Sequence, residues 1–201
     1  MAIVGSSSNP GGGNFNFSGS NTLNQCGSAV VMPANGLIYD LGVYVAGDGA
    51  STPMILCLWD STGALLAQTA SFTCPSGSHS VLGQSWQVQN LTTPYHATSG
   101  TTYYIGFWRT AGNSSIFTVN STGTFTSNTN LTGSPGALTL SNPFGTNHSM
   151  GVYGDYYPVT VRVRRSGAWV VASNVQVRRS GAWVPLTGLK VRRSGAWVDL
   201  T

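Results

Sequence analysis

The chain has 201 residues, enough for one mid-sized domain with or without an appendage. Only 7% of them are charged, nine Lys or Arg against five Asp and no Glu, which excludes a charge-laced helical protein. With 41% hydrophobic and 10% aromatic residues there is material for a core, which excludes wholesale disorder, because disordered chains lack the apolar groups that offset ordering entropy. The surface is then expected to be built mainly from Ser, Thr, Asn, Gln and Gly.

In chain order, Met1-Ala2-Ile3-Val4 passes at once into Gly5, three serines and Gly11-Gly12-Gly13, with neither the basic nor the apolar region of a secretory leader. Residues 1–24 are expected to form a flexible or arm-like segment. Leu37, Tyr39, Leu41, Val43 and Val45 alternate with Ile38, Asp40, Gly42 and Tyr44, as in a half-buried strand. Met54 to Trp59 is a short apolar run, Asp60-Ser61-Thr62-Gly63 is a turn, and Ala64 to Ala70 runs back. Ser85 to Leu91 alternates again, Thr101 to Trp108 is rich in Tyr and Trp, residues 112–147 read as weak strands and long loops, and Gly151 to Tyr157 is a closing strand. No window carries an amphipathic helix, and none approaches the ~18 apolar residues of a membrane span, so a soluble protein made in the cytosol is expected. Short strands separated by Gly, Asn, Ser and Pro predict an all-β sandwich over residues 25–158.

Charge divides the chain. Residues 1–160 hold a single basic residue, Arg109, against four Asp, a balance of −3, whereas residues 161–201 hold eight basic residues against Asp199, a balance of +7. The change marks a module boundary near Tyr157-Pro158. Residues 159–201 are an internal repeat: Val163-Arg-Arg-Ser-Gly-Ala-Trp-Val170 recurs as Val177 to Val184 and as Val191 to Val198, a period of 14 residues. Gly at the centre of each unit, with Val and Trp around it, argues against a helix, while Ser-Gly between apolar runs is a two-residue turn signal. Three tandem β-hairpins follow. With the turn at Ser180-Gly181, counting places Arg179 opposite Ala182, Arg178 opposite Trp183, Val177 opposite Val184 and Gln176 opposite Pro185. The other units pair Arg164 with Trp169 and Arg192 with Trp197, and set Lys190 opposite Asp199. Each cross-strand Arg–Trp stack is worth about 0.5–1 kcal/mol. Isolated hairpins are marginal in water, so these six Arg and Trp residues are the candidate partner-binding set.

Candidate chemistry is sparse. Glycoside hydrolysis needs two carboxyl groups flanking one bond. Asp48 and Asp60 are the nearest thing to a pair, and Asp60 is better explained as the first residue of its turn. No nucleophile elbow or phosphate-cradling loop is present, and His79, His96 and His148 lie in loop-like contexts. No enzyme, cofactor or metal site is therefore expected. Cys26, Cys57 and Cys74 lack metal-type spacing; Cys57 reads as a buried free thiol, and a Cys26–Cys74 disulfide stays open. Arg interleaved with Trp superficially suits single-stranded nucleic acid, but hairpin pairing occupies each Trp face with its own Arg, which favours protein docking over nucleic acid. Trp86, Tyr95, Tyr103 and Trp108, with Tyr104, are the candidate glycan-stacking aromatics, each weighed against simple burial.

Two stretches carry a resemblance. Leu41-Gly-Val-Tyr-Val, Leu58-Trp-Asp-Ser-Thr-Gly-Ala-Leu-Leu-Ala-Gln-Thr, Trp86 and Thr101-Thr-Tyr-Tyr-Ile-Gly-Phe-Trp resemble the jelly-roll domains of phage structural proteins and of carbohydrate-associated extracellular modules. The Val-Arg-Arg-Ser-Gly-Ala-Trp-Val units resemble the C-terminal repeats of minor tail proteins and other accessory virion proteins of tailed actinobacterial phages. The resemblance implies a jelly-roll-like β-sandwich followed by three β-hairpin repeats, in a non-enzymatic virion component. A minor tail protein is favoured over a capsid decoration protein, and a carbohydrate-binding module for host-surface recognition is the alternative. The expected partners are other virion proteins and further copies of the chain, a trimer among them, with host cell-wall glycan next; no membrane is expected.

Overall fold

The computed structural model describes residues 2–8, 14–16, 23–48, 52–74, 76–77, 85–109, 115–120, 125–129, 134–140 and 149–158, together with the six four-residue strands of the C-terminal repeats. Every regular element among them is a β-strand. The chain divides into two compact units, Met1–Tyr157 and Pro158–Thr201.

The first unit contains β1 (Ala2–Gly5), β2 (Asn14–Asn16), β3 (Leu23–Val31), β4 (Gly36–Asp48), β5 (Thr52–Trp59), β6 (Leu65–Gln68), β7 (Phe72–Cys74), β8 (Ser76–Gly77), β9 (Ser85–Ala97), β10 (Thr102–Arg109), β11 (Ser115–Asn120), β12 (Phe125–Thr129), β13 (Ser149–Met150) and β14 (Val152–Pro158). They form two sheets. In the first, β1 pairs with β14, β14 with β4 and β4 with β9, and the short strands β2, β8, β11 and β13 extend it around β4 and β11. In the second the order is β12-β3-β10-β5-β6, with β7 also on β5. Apart from the short parallel β4–β8 contact, the strand pairings whose register is described are antiparallel.

Period-2 patterning explains the core. Leu41, Val43 and Val45 from β4, Leu56 and Leu58 from β5, Ile105 and Phe107 from β10, and Val152 and Tyr156 from β14 all enter one buried cluster. At about 25 cal/mol per Å2 of buried apolar surface, each such side chain stabilises the fold by roughly 1.5–3 kcal/mol. The alternation read along β4 changes phase at its start: Ile38, not Leu37 or Tyr39, is fully buried. The change coincides with a register shift. Ile38 pairs with Tyr95 and Asp40 with Asn90, so four residues of β9, Leu91 to Pro94, stand opposite Tyr39 alone.

The expected N-terminal arm is corrected over its first residues. Ala2–Gly5 is an antiparallel strand on β14 with Val4 1% exposed in the core, and Asn14–Asn16 pairs with β11. An apolar Ile3-Val4 pair next to an open sheet edge has more to gain by pairing than by remaining solvated. The Gly11-Gly12-Gly13 run lies outside the described residues. All three cysteines are free and buried, which removes the Cys26–Cys74 disulfide. Burial pushes the Cys26 and Cys57 thiols well up, so both act as packing groups rather than as nucleophiles.

A second, smaller core lies on the outer face of the second sheet. Residues 134–140 run over it as a strap, and Leu138 packs with Cys57, Trp59 and Trp108. Paired Gly27 and Gly106 leave the slot that the strap fills, and the Leu138 side chain reaches Gly27. Three residues pin the strap: Trp59 Nε1 donates to Gly136 O at 2.8 Å, Gln25 Nε2 donates to Ala137 O at 2.6 Å, and Leu138 N donates to Gly63 O at 2.7 Å.

The second unit contains β15 (Arg162–Arg165) with β16 (Ala168–Val171), β17 (Gln176–Arg179) with β18 (Ala182–Pro185), and β19 (Lys190–Arg193) with β20 (Ala196–Asp199), each pair a two-stranded antiparallel ribbon. The observed register equals the counted one: Arg164 opposite Trp169, Arg178 opposite Trp183, Arg192 opposite Trp197 and Lys190 opposite Asp199. The turn residues lie outside the described set, as do the side chains on which the expected Arg–Trp stacking rests.

Candidate functional sites

The ribbons present one site by placement alone. Residues directly opposite in an antiparallel pair share a face. Each ribbon therefore sets its Arg–Trp pair on one face and a Val–Val pair, Val163–Val170, Val177–Val184 or Val191–Val198, on the other. Two-stranded ribbons of this length are marginal in isolation, which makes the repeated faces candidate docking surfaces.

The sandwich distributes the four candidate aromatics differently from a single stacking platform. Tyr103 and Trp108 are 3% and 5% exposed and belong to the two cores, so neither can receive a sugar, and this corrects their candidacy. Tyr103 faces inward on β10, where its hydroxyl accepts the Thr98 N–H at 3.0 Å and its ring meets the edge of half-buried Tyr95 at 5.9 Å. Trp108 faces outward but lies among the residues packed with the strap, and half-buried Tyr104 packs against the same group. Trp86 alone lies on an open sheet face.

That face belongs to the first sheet. Leu41, Val43 and Val45 point into the core, so Gly42 and Tyr44 point out, and the register puts Trp86 beside Tyr44, Val88 beside Gly42 and Asn90 beside Asp40. On β14, buried Val152, Gly154 and Tyr156 alternate with outward Tyr153, Asp155 and Tyr157. Trp86 meets Tyr44 edge-on at 5.4 Å and Tyr153 at 4.9 Å. A Cβ on Gly42 would collide with the Tyr153 ring, so glycine there is what lets the two aromatics meet across β4. Further along, Tyr157 stacks on Tyr39 at 4.6 Å. Three of the four large hydrophobic residues that stand exposed among the described ones, Ile3, Val88 and Tyr157, lie on β1, β9 and β14 of this sheet.

Comparison of the sequence with protein-family models finds no match, and comparison with curated proteins finds none either. The chemistry of the sites thus rests on their own residues.

Between the two aromatic groups lies a carboxylate pair. Asp155 N donates to Asp40 Oδ1 at 3.2 Å. Burial, reinforced by the Asp155 carboxylate, raises the Asp40 pKa, and burial with both carboxylates beside it pushes the Tyr39 phenol up to about 12. Burial and the same two carboxylates also raise Tyr153. Asp40 is 8% exposed, whereas Asp155 is half-buried, so Asp155 is the carboxylate that a ligand can reach. Arg109 is 2% exposed, so the first unit shows solvent no Lys or Arg among its described residues.

Asp60 behaves as its turn predicts. Its Oδ1 accepts the Thr62 N–H at 2.8 Å, the Thr62 hydroxyl at 2.7 Å and the Ala64 N–H at 2.9 Å, while Gly63, at a φ of 88°, closes the turn onto Asp60 O. The Thr62 hydroxyl is the largest cause of a lowered Asp60 pKa. Asp60→Ala is expected to cost about 1 kcal/mol. The wild-type advantage should be complete above the unfolded carboxyl pKa of about 4 and disappear as pH falls through the lower folded value. Thermal melts of both proteins between pH 7 and pH 2 check this; an advantage that persists in acid would mean the turn does not depend on the ionised carboxylate. Among the described residues no three His, Cys, Asp or Glu side chains gather into a metal-type cluster, and no helix is long and apolar enough to cross a membrane. The side chain of Asp48, and His79 and His148 altogether, lie outside the described residues.

Proposed function

We propose that the chain is a non-enzymatic structural protein of a phage particle, a minor tail protein by preference over a head decoration, which attaches through its three C-terminal ribbons. The observation that carries the reading is one hairpin register repeated three times at a period of 14 residues in a segment of charge +7. Linking three modest contacts raises the effective concentration of each successive one, so weak ribbons together hold firmly to a symmetric partner or to further copies of the chain. The strand order of the first unit supports the same reading. Taking β1, β3, β4, β5, β6, β9, β10 and β14 as strands one to eight, these strands run 1-8-3-6 and 2-7-4-5 in the two sheets, an order that supports a jelly-roll reading, the architecture of viral capsid and lectin domains.

The test is deletion of residues 161–201. The truncated protein is expected to be folded and soluble but missing from purified particles, and attachment of the full chain is expected to weaken as salt rises, since the ribbons are basic. Incorporation at normal copy number would show that the ribbons are not the anchor. Locating the chain on tail or head by cryo-electron microscopy separates a tail protein from a capsid decoration.

A further inference from the structure

We propose that the outer face of the β1-β14-β4-β9 sheet binds a neutral oligosaccharide along β14, with Tyr153 and Tyr157 as stacking surfaces, Trp86 extending the first of them, and Asp155 with Asn90 receiving hydroxyl groups between them. This goes beyond attachment to a particle and stands on different residues.

The argument begins with what alternation does to Tyr153-Gly154-Asp155-Tyr156-Tyr157. Gly154 and Tyr156 go inward, and one outward row of aromatic, carboxylate, aromatic remains. At a rise of about 3.3 Å per residue the two tyrosines stand about 13 Å apart along the strand, with Asp155 at the midpoint. That spacing suits an extended ligand rather than a compact one. Each aromatic is held by a neighbour: Tyr153 edge-on by Trp86 over the Gly42 gap, and Tyr157 by stacking one face on Tyr39 while its ring stays 53% exposed. Pre-ordered rings lose little entropy when a ligand lies on them.

The chemistry of the occupant follows from what the face offers and withholds. Aromatic rings offer flat apolar surface, so the ligand needs a flat face of C–H groups. The oxygens of the half-buried Asp155 side chain can accept hydrogen bonds, and exposed Asn90 both donates and accepts, so hydroxyl groups on the ligand's edge beside those C–H groups match the face. The only Lys or Arg of the first 160 residues is the buried Arg109, so a phosphorylated, sulfated or nucleic-acid ligand would meet carboxylates without a compensating cation. A chain of uncharged pyranoses meets all three conditions. The apolar exposure is also concentrated here, since Ile3, Val88 and Tyr157 are 43%, 40% and 53% exposed on strands that neighbour one another or β4 in this sheet.

The test uses the full-length chain against a printed array of short neutral glycans, followed by calorimetric titration of the strongest binder and of an oligo-lysine peptide as the cationic rival. Tyr157→Ala and Asp155→Asn are surface changes, and each is expected to weaken binding of that glycan by about tenfold while the melting temperature stays within about two degrees of wild type. Gly42→Ala provides the second variant, expected to weaken binding by displacing Tyr153, with circular dichroism confirming the fold. Three outcomes overturn the proposal: no neutral glycan bound, a bound glycan indifferent to both Tyr157→Ala and Asp155→Asn, or preferential binding of the oligo-lysine peptide, which would make the face an acidic docking surface for a basic protein.

Discussion

Replacing Trp59 by Ala is expected to destabilise the first unit by about 3–5 kcal/mol. The ring is fully buried at the end of β5 and joins Cys57, Trp108 and Leu138 in the core beneath the strap, so truncation opens a cavity that rigid neighbours cannot close. It also removes the 2.8 Å hydrogen bond to Gly136 O, one of those that hold residues 134–140. Trp59→Phe keeps most of the packing and loses the donor, so its cost should fall to about 1–2 kcal/mol. Urea titrations report both values provided the m-value is unchanged. Limited proteolysis of residues 134–140 should accelerate in both variants, more strongly in Trp59→Ala. A midpoint shift worth less than about 1 kcal/mol for Trp59→Ala would mean that the strap does not complete a core.

Gly106→Val is expected to cost at least about 3 kcal/mol. Gly106 lies in the middle of the second sheet, paired on one side with Gly27 of β3 and on the other with Cys57 of β5. A Cβ at this position runs into the carbonyl oxygen of Cys26, which is backbone and cannot swing away. The two central strands, β3 and β10, must therefore separate. Gly136→Ala, inside the strap, meets nothing within 4 Å and should stay within about 0.5 kcal/mol of wild type. Thermal denaturation of the pair checks the contrast. Equal and small shifts would show that β3 and β10 can part without cost.

How legible these features were in the sequence depended on how locally each is determined. The Asp60 turn was readable because its hydrogen bonds span at most four residues. The ribbons were readable because a two-residue turn and a repeated octapeptide leave one register to count. The start of β4 was misread where Tyr39 stands opposite a four-residue excursion of β9, and a register shift against a distant strand leaves no trace in the alternation of its partner. For Tyr103 and Trp108 the choice between stacking and burial stays open in the sequence, because an aromatic run looks the same whether one or both of its faces are covered. The strap that shares the outer core with Trp108, residues 134–140, has no periodicity of its own. The outward row of β14 was missed for the complementary reason. Tyr153, Asp155 and Tyr157 were read only as part of a closing strand, and their meaning appeared once Gly42 and Trp86 lay beside them.

The β9 excursion also bears on how the molecule behaves when many copies are crowded together. β9 borders the first sheet beside β4, and β6 borders the second beside β5, so each is a strand whose outer backbone groups are open to recruitment by a neighbouring chain. Leu91 to Pro94 leave the β4 ladder and reach across: Leu91 bridges to Thr69, the Thr92 hydroxyl donates to Gln68 O at 2.8 Å, and Pro94 brings no N–H to the edge. The two borders are stitched to one another at this point, which interrupts the ladder that β9 would otherwise offer along its whole length. With only 7% of its residues charged, the chain has few charges to place on its edges, and this seam is expected to hinder pairing with a neighbouring chain along the stretch that it covers.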